Sequence, residues 1–525
     1  MAFSTISFIS LLLWTSGNLP SAASAELRGA SEDSSVLTYG NNSKHNCAVA
    51  CAKFQEIPYV QVTSTSGNIT QYDVEKSDFW STFQAEVSPS CFVNPTCPEE
   101  VAQVLEILKD NQCQFAVKSG GHAAFAGASN IDGGVTILLK ELNTLQLDRE
   151  AGVVQIGTGN LWIDVYEYLT PKKMSVVGGR VTGIGVGGLV LGGGISFFSG
   201  RYGWACDGVR NYEVVVASGE ILQVNQASYP DLYWSLRGGG NNFGIVTRMD
   251  LEVFEQGDLW GGAMALPWTV KDDVINALYD FGQRQSSHNE DEVDVDASIW
   301  AAFGYTQQPQ PGKFISIEPV YAKPVVNPPV LENFTKLEPV LMNTIKIRNL
   351  TDISKELNQS NPNGLRETCW SHNFILTKEV MSKCLDIFEE ELESVKDVEG
   401  IVPVMLFQPF TTAVIKHFAR NGGNALGITD EDGPLLLMSI PIMWSDSSRD
   451  EEVLAFARTI MDRCVEASRK LGAFHSYIYQ NYAAKEQRVF ESYGKTSLER
   501  LRGVSRKYDP DGVFQRLQPV YHKLW

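Results

Sequence analysis

Apolar positions along this chain follow one rhythm up to about residue 257 and another beyond it. In the first part the units are short. Val101, Val104, Leu105 and Leu108 fall on one face of a helix predicted over Glu99 to Leu108, just after a turn from Pro95 to Pro98. Phe115-Ala116-Val117, Val135 to Leu139 and Val153 to Ile156 read as short strands, and Trp162 to Leu169 as an amphipathic helix. Tyr212 to Ala217 and Ile221 to Val224 read as paired strands around Ser218-Gly219. A glycine-rich turn from Gly238 to Gly244 runs into a further strand at Ile245. Between 258 and 476 the units lengthen. Alternating strands (Ile315 to Val320, Leu435 to Pro441) mix with helical patterns over Val380 to Val395 and Glu452 to Leu471, and Asn349 to Gly364 reads as a surface loop. From 477 to 525 short motifs return. This is α+β grammar: a first domain over 87–257, a second over 258–476 whose sheet is covered by helices on one side, and a C-terminal segment over 477–525.

Two glycine-rich stretches stand out. Lys118-Ser119-Gly120-Gly121-His122 follows the Phe115 strand, so two glycines let the backbone turn and one imidazole comes directly after it. Gly178 to Gly194 holds nine glycines in seventeen residues, which predicts neither a helix nor an ordinary strand. Bare backbone of this kind suits a flat, phosphorylated ligand that takes hydrogen bonds from N–H groups. Within it, Gly183 to Gly188 matches the glycine spacing of a dinucleotide fingerprint, with Asp207 about twenty residues on. That fingerprint must open a helix, and Leu-Val-Leu-Gly-Gly-Gly is not expected to continue one, so nicotinamide-nucleotide binding is set aside.

Composition narrows the setting. The formal charge of −19 argues against nucleic acid and anionic membranes as partners. Residues 1–25 carry no charged side chain, their apolar core Phe8 to Trp14 is too short to span a bilayer, and Ala23-Ser24-Ala25 fits a cleavage site. A signal peptide over 1–25 is therefore expected, then an N-terminal segment over 26–86 that is loose over 26–46, with secretion and no stable membrane insertion. Asn41, Asn68, Asn333, Asn349 and Asn358 are sequons available for glycosylation on an exported chain. Nine cysteines allow disulfides and leave at least one thiol over, and neither they nor the seven histidines form a metal-ligand spacing.

Taken in order, Lys118 to His122, Gly179 to Gly194, Trp204 to Val209, Gly240 to Val246 and Tyr479-Gln480-Asn481-Tyr482 resemble the fungal form of the berberine-bridge-enzyme-like branch of the vanillyl-alcohol-oxidase flavoproteins. The resemblance covers nearly all of the chain beyond residue 25. It implies a two-part PCMH-type FAD domain, a substrate domain, and a C-terminal segment that returns to the cofactor. It implies FAD attached by a single covalent bond through His122, because Val181 stands where doubly tethered relatives carry a cysteine. A neutral imidazole nitrogen is a competent nucleophile for such a bond.

The resemblance further implies a main-chain cradle from Lys118, Ser119, Gly120, Gly121 and Gly127 on one loop. Gly183, Ile184, Gly185, Val186, Gly187 and Gly188 supply the other side, and Asp207, Gly208, Val209, Gly244, Ile245 and Val246 flank the adenine end. Tyr482 is the expected base, Tyr479 a substrate hydrogen-bonder and Asn481 a cofactor support. Gln408 occupies the position of a glutamate base in some relatives and cannot take a proton, though it can bind substrate. Ile184 sits where the family gates oxygen, so an oxidase yielding hydrogen peroxide is expected, with a dehydrogenase or a carbohydrate oxidase as alternatives. A small secondary metabolite is the expected substrate and a monomer or homodimer the expected form. Cys51 and Cys113 stand where relatives pair an N-terminal cysteine with one after the first helix.

Overall fold

The computed structural model describes residues 45–525; the signal peptide expected over 1–25 and the Asn41 sequon lie outside them. The first sheet joins Gln61–Thr63, Cys91–Asn94, Val135–Leu138 and Phe115–Lys118 in that order, the last three strands parallel. The helix Pro98–Asp110 makes the crossover, burying the Val101, Val104, Leu105 and Leu108 face that the spacing predicts. The second sheet is antiparallel, with the long strand Ile245–Glu255 hydrogen-bonded to Val153–Gly157 on one side and Val209–Val215 on the other. Val209–Val215 in turn pairs with Ile221–Val224, as the turn at Ser218-Gly219 requires.

A seven-stranded antiparallel sheet dominates the rest. From its centre to one edge it runs Ala301–Thr306, Val402–Phe410, Leu435–Trp444, Arg366–Ile375. One face, carrying Met405, Phe407, Met438 and Ile440, packs against Val380 and Leu385 of the helix Lys378–Leu392 and Ile460 of the helix Asp450–Lys470. Helices cover this face only, and the opposite face looks toward the glycine-rich loops. The C-terminal segment closes back on the first sheet: Phe115 N–H donates to the Leu517 carbonyl at 2.7 Å, and Phe514 packs edge-on against Phe115. The chain therefore has the α+β architecture that its patterning predicts.

Four expectations are corrected. The glycine-rich stretch does hold a helix, Val186–Leu191, because each helical turn needs only backbone and Gly185 caps it in an extended conformation. Asn349 to Gly364 is not a loop throughout: Leu350–Asn358 is a helix capped by Asn349, whose side chain accepts from Asp352 N–H at 2.9 Å. The strand expected over Ile315 to Val320 breaks at Glu318-Pro319, where proline removes a ladder donor. The disulfides are Cys47–Cys113 and Cys51–Cys91, so Cys51 and Cys113 each have a different partner from the one expected. Five cysteines among the described residues remain thiols.

Candidate active site

The two glycine loops meet backbone to backbone. A Cβ on Gly120 would lie 2.3 Å from Gly185 N, so no side chain fits at the crossing. Gly121 adopts φ +67°, and a Cβ there would strike the Lys118 side chain at 2.7 Å. The Ser119 hydroxyl fastens the crossing, donating to the Thr158 carbonyl at 2.6 Å and accepting from Gly187 N–H at 3.3 Å. Beside this bare ledge lies a cavity of about 430 Å³ that runs from the first sheet to the uncovered face of the seven-stranded sheet.

Most of the expected residues converge on it. Ser119, Gly120, Gly121, His122, Ile184, Gly185, Gly187, Gly188, Gly244, Ile245 and Val246 line it, with Tyr479, Asn481 and Tyr482 from the C-terminal segment. The His122 ring stacks on Trp80, centroids 4.1 Å apart, and neither ring nitrogen bonds a described residue. Burial pushes its pKa down to about 3, so the imidazole is neutral, and what surface it keeps faces the cavity.

Other expected residues lie elsewhere. Lys118 turns away from the cavity and bonds the Asp78 carboxylate at 2.7 Å. Gly127 is pressed against Val520, and Gly183 N–H donates to Asn358 Oδ1 at 2.8 Å. Val186 N–H is used by the Asn160 carbonyl at 3.0 Å. Asp207, Gly208 and Val209 do not reach the cavity wall. Asp207 is fully buried against Arg237 at 3.2 Å and caps Trp204 N–H at 2.9 Å. Of the described sequons, Asn68 and Asn333 are exposed, whereas Asn349 and Asn358 are partly buried and bonded.

The two tyrosines differ. The Tyr479 hydroxyl oxygen receives Gly194 N–H and Ile195 N–H, both at 3.2 Å, and Asn481 Nδ2 at 2.9 Å. Burial still drives its pKa upward, so Tyr479 stays a phenol and holds the C-terminal segment to the glycine stretch. The Tyr482 oxygen instead receives Arg180 Nη2 at 2.9 Å. Arg180 Nη1 donates to Gln408 Oε1 at 3.1 Å, and the guanidinium lies 4.2 Å over the Trp300 ring. Gln408 therefore reaches the cavity through Arg180. Arg180 was not singled out from the sequence; its one signal is that it is the lone charge between Gly178 and Gly194.

Two carboxyls were also missed. Glu318 and Glu367 line the cavity on the side of the seven-stranded sheet. Burial raises Glu318 to about 8, against the favourable charge of Arg180, and lifts Glu367 well above the usual carboxylate range.

The site fits a dinucleotide cofactor. Both side-chain polar atoms of Gln480 and Oε1 of Gln518 are buried on the cavity wall without a partner, which is where ligand hydroxyls or ring heteroatoms would bond. Comparison with known proteins agrees. The family described as "FAD binding domain" matches residues 89–225. The chain is 39% identical to the FAD-dependent monooxygenase tpcD of Cochliobolus heterostrophus, over 85% of this chain and 87% of that one. It is 35% identical to the FAD-dependent monooxygenase FUP4 of Fusarium proliferatum, over 98% and 99%. Among solved structures, 6-hydroxy-D-nicotine oxidase from Arthrobacter nicotinovorans superposes with TM-score 0.72 at 18% identity, covering 87% of this chain and 97% of that one. A variant of berberine bridge enzyme superposes with TM-score 0.71 at 15% identity, covering 91% and 100%. The fold and site define an FAD-dependent oxidoreductase. The chain belongs to the berberine-bridge-enzyme-like flavoproteins, and relatives more than 30% identical to it are named FAD-dependent monooxygenases.

Proposed function

We propose that this protein oxidises a small secondary metabolite by removing a hydride from one of its C–H bonds, with FAD tethered to His122 and molecular oxygen as the final acceptor. The observation that carries this reading is that a neutral, unbonded imidazole, a bare glycine ledge and an arginine-held tyrosine all face one cavity. The domains expected over 87–257 and 258–476 would then supply the cofactor ledge and the substrate wall, with 477–525 closing the site between them.

Bound FAD supplies the two-electron acceptor; the chain supplies everything else. Main-chain N–H groups of Ser119 to His122, Gly185 and Gly188 would hold the phosphates, and the unpartnered side-chain atoms of Gln480 and Gln518 would bond other polar atoms of the cofactor. Tyr482 takes the proton from the substrate atom next to the breaking C–H bond. Arg180 donates to the Tyr482 oxygen, so positive charge faces the phenolate form that takes this proton and becomes a neutral phenol on doing so. Tyr479, kept protonated, orients the segment and offers no base. Gln408 holds Arg180 in place and is a positioning residue. The apolar sheet wall excludes water from the reacting carbon.

Oxygen use draws support from Ile184 on the cavity wall and from the relatives' names, which favour an enzyme that meets oxygen directly. Those names also support a second reading, transfer of one oxygen atom to the substrate. Secretion draws support from the two disulfides, and no helix among the described residues is long and apolar enough to cross a membrane. Of the described sequons, the exposed Asn68 and Asn333 are the best placed for glycans.

Precipitation in trichloroacetic acid tests the cofactor reading. Yellow colour should stay with wild-type pellet and pass to the supernatant in His122→Ala; colour released from both would remove the tether. Candidate metabolites added without air should bleach the flavin. Labelled oxygen gas then separates the two acceptor readings, since an oxidase leaves the label in hydrogen peroxide and a monooxygenase places it in the product.

A further inference from the structure

The substrate wall is built from alternate residues of four adjacent strands. Ala302, Val404, Leu406 and Pro441 present apolar surface, and Glu367 stands among them from the strand Arg366–Ile375. Glu367 is 5% exposed and has no hydrogen-bond or ion-pair partner among the described residues. Glu318 joins it from the break after the strand Gly312–Ile317, with Oε2 buried and also without a partner. A buried carboxyl with no partner costs stability wherever nothing outside the chain answers it. Both groups open onto the same cavity, so what answers them comes from the ligand.

We propose that Glu367 is a substrate-recognition group which donates its carboxyl O–H to a neutral oxygen acceptor, so that the cavity takes an apolar-bodied molecule bearing a ketone, quinone or ester carbonyl and rejects a cationic amine of the same shape. The inference rests on reading this cavity as the substrate side of the redox site. Three facts single out that chemistry. Burial keeps both carboxyls protonated near neutral pH, so they present O–H groups to a ligand. Among the described residues, the one guanidinium on the wall already serves Gln408, Tyr482 and the Trp300 ring, and no other cation lines the cavity to meet an acidic ligand. An ammonium ligand would have to shed its own water and also force a desolvated carboxyl to ionise. A neutral carbonyl needs neither, and it satisfies the O–H that the fold leaves unpaired.

The test uses two bicyclic probes of one skeleton, 1-tetralone and protonated 1-aminotetralin, titrated at pH 7 into the flavin-loaded protein and read by the change in bound-flavin absorbance. Wild type should bind the tetralone at least about tenfold more tightly than the amine. Glu367→Leu should weaken tetralone binding about tenfold while melting no lower than wild type, since it removes an unanswered buried polar group. Glu367→Gln keeps a donor and should stay within about threefold of wild type. Equal or tighter binding of the amine overturns the proposal, as does a glutamine variant that loses as much as the leucine variant. Should the leucine variant fail to fold, the wild-type pair of probes and the glutamine variant decide between the same outcomes. Loss of preference in protein with intact acid-stable colour refutes this inference alone, whereas colourless protein refutes the redox reading beneath it.

Discussion

Asp207 offers a sharp trial of the difference between reading a motif and reading a site. The family resemblance places it beside the cofactor; the structure buries it, 0% exposed, against an Arg237 that is equally enclosed. Arg237 donates through Nε to the Cys206 carbonyl at 2.9 Å and through Nη1 to the Gly423 carbonyl at 2.6 Å, and Arg420 and Asn421 carbonyls take further N–H groups. Asp207 is the only carboxylate that the guanidinium touches, and it also accepts from Trp204 N–H and Asn424 Nδ2. Asp207→Asn keeps the shape and leaves a buried positive charge facing carbonyl dipoles alone. Removing one partner of a buried pair costs about 3–5 kcal/mol, and the four carbonyls place this case near the lower end. About 3 kcal/mol, against an unfolding entropy of roughly 1 kcal/mol/K for a chain of this length, corresponds to a fall of roughly 3 °C in melting temperature. The assay is differential scanning fluorimetry of wild type and variant beside the ratio of flavin absorbance to protein absorbance. The expected outcome is a lower melting temperature at unchanged flavin content in the folded fraction. A variant that melts within 1 °C of wild type while losing half its flavin or more would show that Asp207 serves the cofactor and that the reasoning here is wrong.

Three further outcomes are expected. Tyr482→Phe and Arg180→Leu should each slow anaerobic flavin reduction at saturating substrate by about 10- to 100-fold, acting on kcat more than KM, with Arg180→Lys between them because an ammonium cannot serve three partners; equal rates in all four proteins would remove Tyr482 as the base. Formation of acid-stable colour, on adding FAD to protein produced without it, should keep the same rate from pH 8 to pH 5. The His122 imidazole at about 3 stays neutral over that range, whereas one at the ordinary 6.5 would be about tenfold depleted in its neutral form by pH 5.5 and slow accordingly. Non-reducing peptide mapping should recover Cys47 linked to Cys113 and Cys51 linked to Cys91, and Cys51→Ser should lower stability by about 4 kcal/mol from the 40-residue span released; a Cys51–Cys113 peptide would restore the pairing that the resemblance implies.

What could be read in the chain, and what could not, follows the range of the interaction. The helix face of Val101 to Leu108, the turn at Ser218-Gly219 and the turn at Gly121 rest on neighbours a few residues apart, and they are legible because backbone sterics and periodicity are local. Even the error over Val186–Leu191 is of this kind, since glycine lowers helix propensity without forbidding one and a half turns that tertiary packing holds. Arg180 and Tyr482 are 302 residues apart, and nothing local in either announces the other. Glu367 is an intermediate case. In the strand Arg366–Ile375, Glu367, Cys369 and Ser371 occupy one face, while Thr368, Trp370 and His372 occupy the other. Period two separates those sets in the sequence, but both contain polar residues, so hydropathy alone cannot say which face meets the helices. The register with Leu435–Trp444 decides it, by placing Glu367 opposite Met443 and Cys369 opposite Pro441 on the cavity side. A strand whose two faces are nearly equal in polarity therefore marks a sheet whose second face is neither core nor solvent. In this chain that second face is the wall against which a substrate would lie.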